Sequence, residues 1–538
     1  MDSFCKGLAF QIDSATAVTP VDLSPLTTAS SRALSHLRRV EESRATPQLR
    51  DAVRLAMDQG HLRPVSKTFL RGYAPVFTVR KSNGSHRLVF DGRKLNRAMP
   101  PPPTFNLPTI RTISRLIKPS YLLASIDLKD AFWTIPLNKK FSRLCGFRLD
   151  NQDYAFNKLP FGLSWAPWLF TQFLHPVLQR IRRSFPKIVV FAYLDDILLA
   201  GPPQLLRSAV KGAIRMIQDS GFTVNLSKSV TEPQTSIQYL GLKYTPSLGA
   251  FDIPTLKARS LRRRLRSAHK LRKIRHIQGL ISSVRFYAIA NPALAPLLRN
   301  AQLWTASIVR RKGWEAHATL PHGICFDLTG CANLLTKTAY TVPIRTPDYI
   351  IQTDATLAQW GSVCFNQELD RFSLDAGKFH TSDLSITHLE ALAMIVGLET
   401  AINSLNFQPG DHVRVQGDNL GALLAISRGT AKDIRLSRIA LDFWLLVLSH
   451  RLVLSFDYLP THINIIADGL SRAPLDGTTR ADRFVGSCGI TSVHQRAISM
   501  SGFYQKSYLG VLRPHSLLHI LGSPGSRTSW AQTSLHLQ

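Results

Sequence analysis

The chain has 538 residues, with 66 Lys and Arg against 35 Asp and Glu, 44% hydrophobic residues and only 6 Cys. This length and apolar content allow several packed domains and exclude both a small disulfide scaffold and a disordered tail. The formal net charge of +31 exceeds what solubility needs and favours a polyanionic partner, nucleic acid before membrane, although a basic coat of the ribosomal kind stays open.

No stretch of the sequence predicts a membrane span. The most apolar segments are interrupted by Asp195, Asp196 and Asp442 before they reach the roughly 20 residues that a bilayer needs. Residues 1–9 include Asp2 and no sustained apolar core, which is unlike a leader peptide. The cysteines are scattered without metal-binding spacing, so reduced and mostly buried thiols are expected. These features predict a soluble intracellular protein, in the cytoplasm or the nucleus.

The elements in chain order predict a mixed α/β protein. Residues 1–45 are rich in Ser, Thr and Ala, which predicts a loosely ordered arm. From residue 46 to residue 250, helical patterns alternate with short apolar runs that predict strands. These runs are residues 74–79, 86–90, 124–126, 188–192 and 197–200.

A strongly basic segment follows. Residues 257–275 carry ten Lys or Arg on one helical pattern, within a stretch from 253 to 314 that has no Asp or Glu. A second α/β pattern then runs to residue 475, with predicted strands at 349–353, 413–417 and 452–456 around a predicted helix at 387–402. The Ser- and His-rich remainder predicts a poorly ordered tail.

Two adjacent acids, Asp195 and Asp196, lie inside the strongly apolar segment 188–200. Burying them is costly unless a cation neutralises them, so a hairpin that presents them to metal ions is the simplest explanation. Hard divalent cations such as Mg²⁺ prefer carboxylate oxygens, and a two-metal site needs a further acid, which Asp127 is placed to supply. A lone pair of acids is more often a turn or a solvated face.

The motifs around these acids resemble those of retroelement reverse transcriptases. Leu159-Pro-Phe-Gly-Leu-Ser-Trp-Ala-Pro167 resembles the nucleotide-pocket motif of that family, and the Asp-x-x-Asp-Ala-Phe and Tyr-x-Asp-Asp boxes occur in the family's order. Residues 86–96, 221–228 and 239–241 resemble the fingers strand, the segment after the catalytic hairpin and the primer grip. The resemblance implies a right-hand polymerase that copies an RNA template into DNA from a DNA or RNA primer and dNTPs, using two Mg²⁺ ions, or Mn²⁺.

The resemblance also implies roles for single residues. Asp127 and Asp195 would hold both metal ions, Asp196 would support them and Leu128 would offer a backbone carbonyl. Lys228 matches a lysine proposed to protonate pyrophosphate, and a plain surface lysine is an equally good interpretation. Phe132 would crowd the sugar 2′-position, unless it is ordinary core packing. The implied nucleotide contacts are Lys81, Arg87, Phe132, Phe161 and Gly162.

Four further acids, Asp354, Glu390, Asp418 and Asp468, lie on separate predicted elements. Any one of them alone would be dismissed as a cap or a surface acid. Their order, with Ala-Asp-Gly-Leu-Ser-Arg at 467–472, resembles the ribonuclease H domain of the same elements. The resemblance implies a second two-metal site that cleaves the RNA of an RNA/DNA hybrid. The segment 460–468 is shorter than the usual family loop, so His462 is expected to be structural.

The basic segment lies where a thumb should follow the primer grip. Because residues 253–314 contain no acid, the segment cannot be neutralised locally, which favours contact with phosphates of the template–primer duplex over a solvated helix. The predicted nucleic-acid contacts are Tyr239, Leu240, Gly241, Arg262, Arg263, Arg266, Lys270 and Lys273.

The predicted architecture is multidomain α/β and α+β. It comprises an arm (1–45), reverse transcriptase fingers and palm (46–250), a basic helical thumb (251–300), a connection (301–345), a ribonuclease H-like domain (346–475) and a tail (476–538). The residues within these motifs most resemble those of DIRS-type tyrosine-recombinase retrotransposons, with gypsy-type elements next. The sequence shows no protease, zinc-knuckle or integrase motif, which fits a polymerase-plus-nuclease product or a fragment of a larger coding region. An inactive or domesticated relic, acting as a basic nucleic-acid binding or packaging protein, remains the alternative, and the oligomeric state is open.

Overall fold

The structure is a computed structural model, and it describes residues 37–80, 84–335, 346–368, 371–379, 383–472 and 494–495. Within these residues no helix combines the length and the apolar character that crossing a membrane requires. The chain divides into two compact units, Met1–Leu240 and Gly241–Gln538.

The first unit opens with a helix packed on short strands. Helix α1 (Pro47–Asp58) begins after Thr46, whose hydroxyl accepts a hydrogen bond from the Leu49 backbone N–H. The apolar face of α1 packs on β1 (Leu62–Val65) and on the hairpin of β2 (Val76–Arg80) and β3 (His86–Phe90). Strand β1 also pairs with β6 (Gln152–Phe156), which pairs in turn with β5 (Gly146–Leu149).

Residues 37–45 are packed, and the sequence-based boundary of the loosely ordered arm at residue 45 is therefore wrong. Leu37 and Ser43 are buried. The Tyr73 backbone N–H donates to the Leu37 carbonyl at 2.8 Å, and the Val76 N–H donates to Ser43 Oγ at 3.0 Å. The polar composition of residues 37–45 does not reveal this packing, because only single residues, such as Leu37 and Ser43, make the contacts. The rest of the predicted arm, residues 1–36, lies outside the described residues.

A five-stranded antiparallel sheet carries the first acidic cluster. Strand β4 (Leu122–Lys129) is flanked on one side by β8 (Asp196–Gly201) and then β7 (Val189–Tyr193), and on the other by β9 (Thr223–Val224) and β10 (Val230–Gln234). Helix α6 (Pro203–Asp219) lies across this sheet, and α5 (Ala166–Ser184) packs on α6 and β7. The remaining elements of this unit are α2 (Arg93–Ala98), α3 (Ile110–Leu116), a 3₁₀ turn (Ala131–Thr134), α4 (Lys139–Ser142) and β11 (Ile237–Tyr239).

The second unit begins with a small hairpin and a helical region. The hairpin pairs β12 (Leu242–Thr245) with β13 (Ala250–Asp252). The helices are α7 (Thr255–Arg266), α8 (Ile274–Tyr287), α9 (Leu294–Leu297), α10 (Arg299–Lys312) and α11 (His322–Leu334). The predicted basic helical segment is present, but it is divided, because α7 ends at Arg266 and a 3₁₀ turn precedes α8. The Ser267 hydroxyl donates to the Arg263 carbonyl at 2.9 Å and so takes an oxygen that a continuing helix would share.

A six-stranded mixed sheet forms the rest of the second unit. Its order is β18 (Val453–Tyr458), β17 (His412–Gly417), β14 (Tyr349–Ala355), β15 (Gln359–Asn366), β16 (Phe372–Lys378) and β19 (His494–Gln495). Strands β17 and β18 run parallel to β14, and β15 runs antiparallel to it. The predicted tail thus contributes β19, while its other residues lie outside the described residues.

Helices cover both faces of this sheet. A Cβ on Gly361 would meet backbone atoms of α15 (Ile465–Arg472), whereas a Cβ on Gly397 of α12 (Ile386–Leu405) would meet Ser362. Because neighbouring residues of a strand point to opposite faces, α12 and α15 lie on opposite sides of β15. The other helices are α13 (Leu420–Arg428) and α14 (Ile434–His450), and α14 packs on α12 and α9.

Candidate active sites

The first acidic cluster is built by strand pairing. Asp127 of β4 lies directly opposite Asp196 of β8 in the antiparallel register. The Leu128 backbone N–H donates to the Asp195 carbonyl at 3.0 Å, which fixes the turn between β7 and β8 against β4. Residues 125–129 alternate between intermediate or exposed and buried positions, so Asp127 is half-buried while Leu128 is buried. The pairing therefore places three acidic residues from two distant sequence segments on neighbouring backbone positions.

The β7–β8 hairpin turns through only two residues, Leu194 and Asp195, because Tyr193 pairs with Asp196. Leu194 has φ 54°, a left-handed conformation that a non-glycine residue adopts at a cost of about 1–2 kcal/mol. Tyr239 is buried, and its hydroxyl donates to the Asp196 carbonyl at 3.0 Å. Pairing on both sides and this hydrogen bond hold the strained turn in place.

Electrostatics couple these carboxylates. Burial is the main cause that raises the pKa of Asp195, and Asp127 adds to the rise while Arg87 and Lys228 oppose it. Burial also raises the pKa of Asp196 to about 6, with Asp195 and Asp127 as further causes and Lys228 opposing. The exposed Lys228 thus lies close enough to act on two of the three acids.

Asn225 is a residue of this cluster that sequence reasoning missed. Its Nδ2 donates to Asp127 Oδ2 at 2.9 Å, and its backbone N–H donates to the Asp127 carbonyl at 2.8 Å. The Asp127 backbone N–H donates to Ser229 Oγ at 3.0 Å. Asn225 lies within residues 221–228, the segment in which the resemblance assigned a role only to Lys228, so its position in that motif was the available signal.

The second acidic cluster lies at the end of the mixed sheet. Parallel strands β14 and β17 pair through Thr353 and Gly417, so the next residue of each, Asp354 and Asp418, emerges at the same edge. Glu390 comes from α12. Ligand atoms of these three acids all lie within 4.8 Å of one another, and among the described residues they are the one such group of three. The structure thus brings together three of the four acids that the sequence singled out here.

Burial and mutual repulsion dominate this cluster. Burial, followed by Asp354 and Asp418, raises the pKa of Glu390 to about 9. Burial also raises the pKa of Asp354 to about 6, although a 2.5 Å hydrogen bond from Ser471 Oγ opposes the rise. Glu390 Oε2 is buried and has no hydrogen-bond partner within the described chain. Three converging carboxylates and an unpartnered buried oxygen fit a hard divalent cation.

Asp468 lies beside this group without joining it. Its carboxylate accepts from Arg472 Nε at 2.8 Å, one helical turn away on α15, and it adds to the rise in the pKa of Asp354. Thr461, which sequence reasoning missed, donates from Oγ1 to Asp418 Oδ2 at 2.7 Å. His462 is exposed, and no described hydrogen bond joins it to an acid.

The comparisons with known proteins agree with the first cluster. Residues 79–244 match the family model described as reverse transcriptase (RNA-dependent DNA polymerase), and this range contains Asp127, Asp195 and Asp196. The Gag-Pro-Pol polyprotein of Human T-cell leukemia virus 2 is 30% identical over 281 residues, 48% of this chain. The Gag-Pol polyprotein of Rous sarcoma virus subgroup C (strain Prague) is 30% identical over 205 residues, 36% of this chain.

The chain spans only 18% and 12% of the length of these two polyproteins. Among solved structures, the foamy viral protease-reverse transcriptase in complex with dsDNA aligns with a TM-score of 0.52 at 16% identity, covering 83% of this chain and 88% of that one. The same protein in complex with an RNA/DNA hybrid aligns with a TM-score of 0.52, also at 16% identity, covering 89% of this chain and 62% of that one. These likenesses show a shared fold.

An aromatic cluster lies within the segment that matches the reverse transcriptase family model. The Phe132 ring packs against Phe161 and Phe170, with centroids 5.0 Å and 5.5 Å away. The Arg87 guanidinium lies 4.6 Å over the Phe161 ring. Three of the predicted nucleotide contacts, Arg87, Phe132 and Phe161, are therefore neighbours, whereas Lys81 lies outside the described residues.

Position 162 requires glycine because the backbone of Phe90 lies too close for a side chain there. It has φ 115°, and a Cβ there would lie 1.9 Å from the Phe90 carbonyl oxygen. The Phe90 N–H donates to the Phe161 carbonyl at 3.0 Å, and Asn96 Nδ2 donates to the Gly162 carbonyl at 2.9 Å. The loop that contains the predicted pocket motif is thus held to β3 and α2 by hydrogen bonds.

The predicted nucleic-acid contacts fall into two groups. Tyr239 faces the acidic hairpin as described, and Leu240 and Gly241 have left-handed φ angles of 46° and 86°. The other group is basic: Arg262, Arg263 and Arg266 on α7, Lys270 in the 3₁₀ turn and Lys273 at the start of α8.

The expectation that the basic segment has no local neutralisation is wrong in part. Glu315 accepts from Lys273 Nζ at 2.6 Å and from Arg275 at 2.5 Å. Glu315 is the first residue after the stretch without acids, and pairing of residue 273 with residue 317 brings it back to the start of α8. Sequence spacing alone could not predict this return of the chain.

Proposed function

We propose that this chain is an RNA-directed DNA polymerase of a retroelement. The observation that carries the proposal is the pairing of Asp127 with Asp196, beside Asp195, inside a reverse transcriptase domain. Asp127 and Asp195, with the Leu128 carbonyl, would hold two divalent cations, Mg²⁺ or Mn²⁺, and Asp196 would support them. Bound there, the ions would activate the primer 3′-hydroxyl and stabilise charge on the triphosphate.

The chain's own side chains would supply the remaining functions. Arg87 and Lys81 would contact the triphosphate of a dNTP, and Lys228 would donate a proton to the leaving pyrophosphate. Phe132 would crowd the sugar 2′-position, and Phe161 and Gly162 would shape the nucleotide floor. The basic residues of α7 and α8 would neutralise phosphates of an RNA template paired to a DNA or RNA primer. The structural relatives' complexes with dsDNA and an RNA/DNA hybrid support these partners.

A second proposed activity is cleavage of the RNA strand in an RNA/DNA hybrid. The mixed sheet with helices on both faces and the triad Asp354, Glu390 and Asp418 support a ribonuclease H-like domain at 346–475. Asp468 would join as a fourth ligand once Arg472 releases it. The residues within the sequence motifs support a DIRS-type element over a gypsy-type one.

Primer extension on poly(rA)/oligo(dT) with Mg²⁺ or Mn²⁺ tests the polymerase. Wild-type protein should extend the primer, and Asp195→Asn should lower extension at least about 10³-fold because it removes a metal ligand. Binding of the hybrid should persist in both proteins. If folded wild-type protein binds the hybrid but extends nothing in either metal, the chain is a relic that acts as a basic nucleic-acid binding protein.

A further inference from the structure

The edge of β4 is interrupted beside Asp127. On that edge Ser125 pairs with Val230 of β10, and Leu128 pairs with Val224 of β9. Between these two short strands, residues 225–229 run past Asp127 and supply its backbone partners, the Asn225 N–H and Ser229 Oγ. Ser229 Oγ also donates to the Asn225 carbonyl at 2.8 Å, which closes the segment into a tight loop. The hydrogen bonds described here between this loop and the acidic cluster all involve Asp127.

The orientation of the Asn225 amide is determined by its two neighbours. A carboxylate only accepts hydrogen bonds, so the NH₂ end must face Asp127 Oδ2, at 2.9 Å. At the other end, Ser227 Oγ donates to Asn225 Oδ1 at 2.9 Å. A flipped amide would place its oxygen against the carboxylate and lose the hydrogen bond to Asp127. Asn225 is therefore a neutral donor aimed at one oxygen of Asp127, Oδ2.

We propose that Asn225 is a positioning residue that orients the Asp127 carboxylate for divalent cations, with Ser227 fixing the Asn225 amide. This inference rests on the proposed function of the palm acids. A neutral donor holds Oδ2 and leaves the negative charge of the carboxylate intact, whereas a Lys or Arg in that place would offset the charge that attracts the ion. Partners that orient metal ligands in this way are typically worth about 10- to 100-fold in metal affinity or activity.

The second cluster uses the same arrangement. Ser471 Oγ donates to Asp354 Oδ2 at 2.5 Å, again a neutral group on one oxygen of a carboxylate. Both arrangements hold the acid that lies on the first strand of its sheet, β4 or β14, against a segment that follows much later in the chain. The recurrence supports orientation of the ligand, since the two folds are unrelated in strand order.

Mn²⁺ binding to the full-length chain tests the proposal without relying on turnover. We would titrate Mn²⁺ by electron paramagnetic resonance in an Asp418→Asn background, which weakens the second cluster so that the palm is observed. Asn225→Ala should raise the Mn²⁺ dissociation constant between about 10- and 100-fold. Ser227→Ala, which keeps the amide but frees it to rotate, should raise it by a smaller factor of about two to five. Leu226→Ala is the matched control, because Leu226 is 63% exposed in the same loop.

In primer extension, Asn225→Ala should require a higher metal concentration for half-maximal rate, with the KM for dNTP little changed. Unchanged Mn²⁺ affinity in a folded Asn225→Ala protein would overturn the proposal, and so would an equal loss in Leu226→Ala. If Asn225→Ala does not fold, Ser227→Ala decides between the same outcomes. If wild-type protein extends no primer while Asn225→Ala still weakens Mn²⁺ binding, the positioning role stands and the polymerase proposal fails.

Discussion

The two acidic clusters of this chain differ in depth and in neighbours. In the first cluster, Asp195 and Asp196 are half-buried, and Lys228 opposes the rise in the pKa of both. In the second cluster, Asp354 and Glu390 are each 3% exposed, and no cation of the described chain opposes the rise in the pKa of Glu390. A fixed lysine therefore counteracts the effect of burial in the first cluster, whereas at Glu390 a bound divalent cation would be the counter-charge that favours the ionised carboxylate.

The net charge of the segment that carries the second cluster also differs from that of the rest of the chain. Residues 346–472 contain nine Lys and Arg against fourteen Asp and Glu, a net charge of −5 that leaves +36 for the rest of the chain. A region of negative charge repels a polyanion at long range, so attraction of nucleic acid comes from the other segments. The comparison teaches that equal numbers of acids make different sites when their surroundings differ.

The largest effect is expected from a substitution at Gly162, which should impair the first site and leave the second site active. Gly162→Ala should abolish DNA synthesis, by more than about 100-fold, because the added Cβ clashes with the Phe90 carbonyl and φ 115° is unfavourable for alanine. Cleavage of the RNA/DNA hybrid should stay within about twofold of wild type. Gly60→Ala is the control, since Gly60 also has a positive φ but open space around its Cα. Equal losses in both variants would show that strain alone matters.

A buried ion pair tests whether the second unit unfolds separately. Asp327 of α11 is buried, lies 3.5 Å from Arg438 of α14 and accepts from Asn300 Nδ2 at 3.0 Å. Asp327→Ala should destabilise this unit by about 3 kcal/mol, because the largely buried Arg438 and Asn300 lose the carboxylate that they contact. Calorimetry should show one unfolding transition lowered and another unchanged. A uniform shift of all transitions would contradict two independent units.

Proton release should distinguish the clusters at neutral pH. Because the pKa of Glu390 is about 9 without metal, binding Mn²⁺ there at pH 7 should release close to one proton, and the affinity should increase with pH up to about 9. The folded-state pKa lies above the unfolded value, so the metal-free fold loses stability as pH rises from about 4 towards 9. Calorimetric titrations in buffers of different ionisation enthalpy measure the release. Glu390→Gln should remove it, and release that persists in this variant would place the proton elsewhere.

The smallest expected effect concerns the basic helices. Glu315→Gln should free Lys273 and Arg275 from their ion pairs and make hybrid binding slightly tighter at low salt. The slope of log affinity against log salt should steepen by about one. Fluorescence anisotropy at several salt concentrations measures both quantities. An unchanged slope would mean that these two cations do not contact phosphates.

Local pattern predicted much of the fold and little of the hydrogen bonding within the sites. The strand at His86–Phe90 was predicted at its observed bounds, and the strands carrying Asp127, Asp196 and Asp354 were found within a few residues. Short apolar runs indicate these elements, so a short window of sequence suffices. Interactions across long separations leave no such pattern.

The missed residues illustrate this limit. Asn225 contacts Asp127 across 98 positions, and Ser471 contacts Asp354 across 117. Glu315 was missed for the same reason, since only the folded chain returns it to Lys273. Each is an ordinary polar residue whose role depends on a partner that the fold supplies.

The measurement that tests the central claim most directly is a crossed assay on one set of preparations. Wild type, Asp195→Asn and Glu390→Gln would each be assayed for primer extension and for cleavage of a labelled RNA strand in the same hybrid, with Mg²⁺ and with Mn²⁺. Two separate sites predict that Asp195→Asn loses extension and keeps cleavage, and that Glu390→Gln does the reverse, with hybrid binding retained by all three. Loss of both activities in either folded variant would contradict two separate sites.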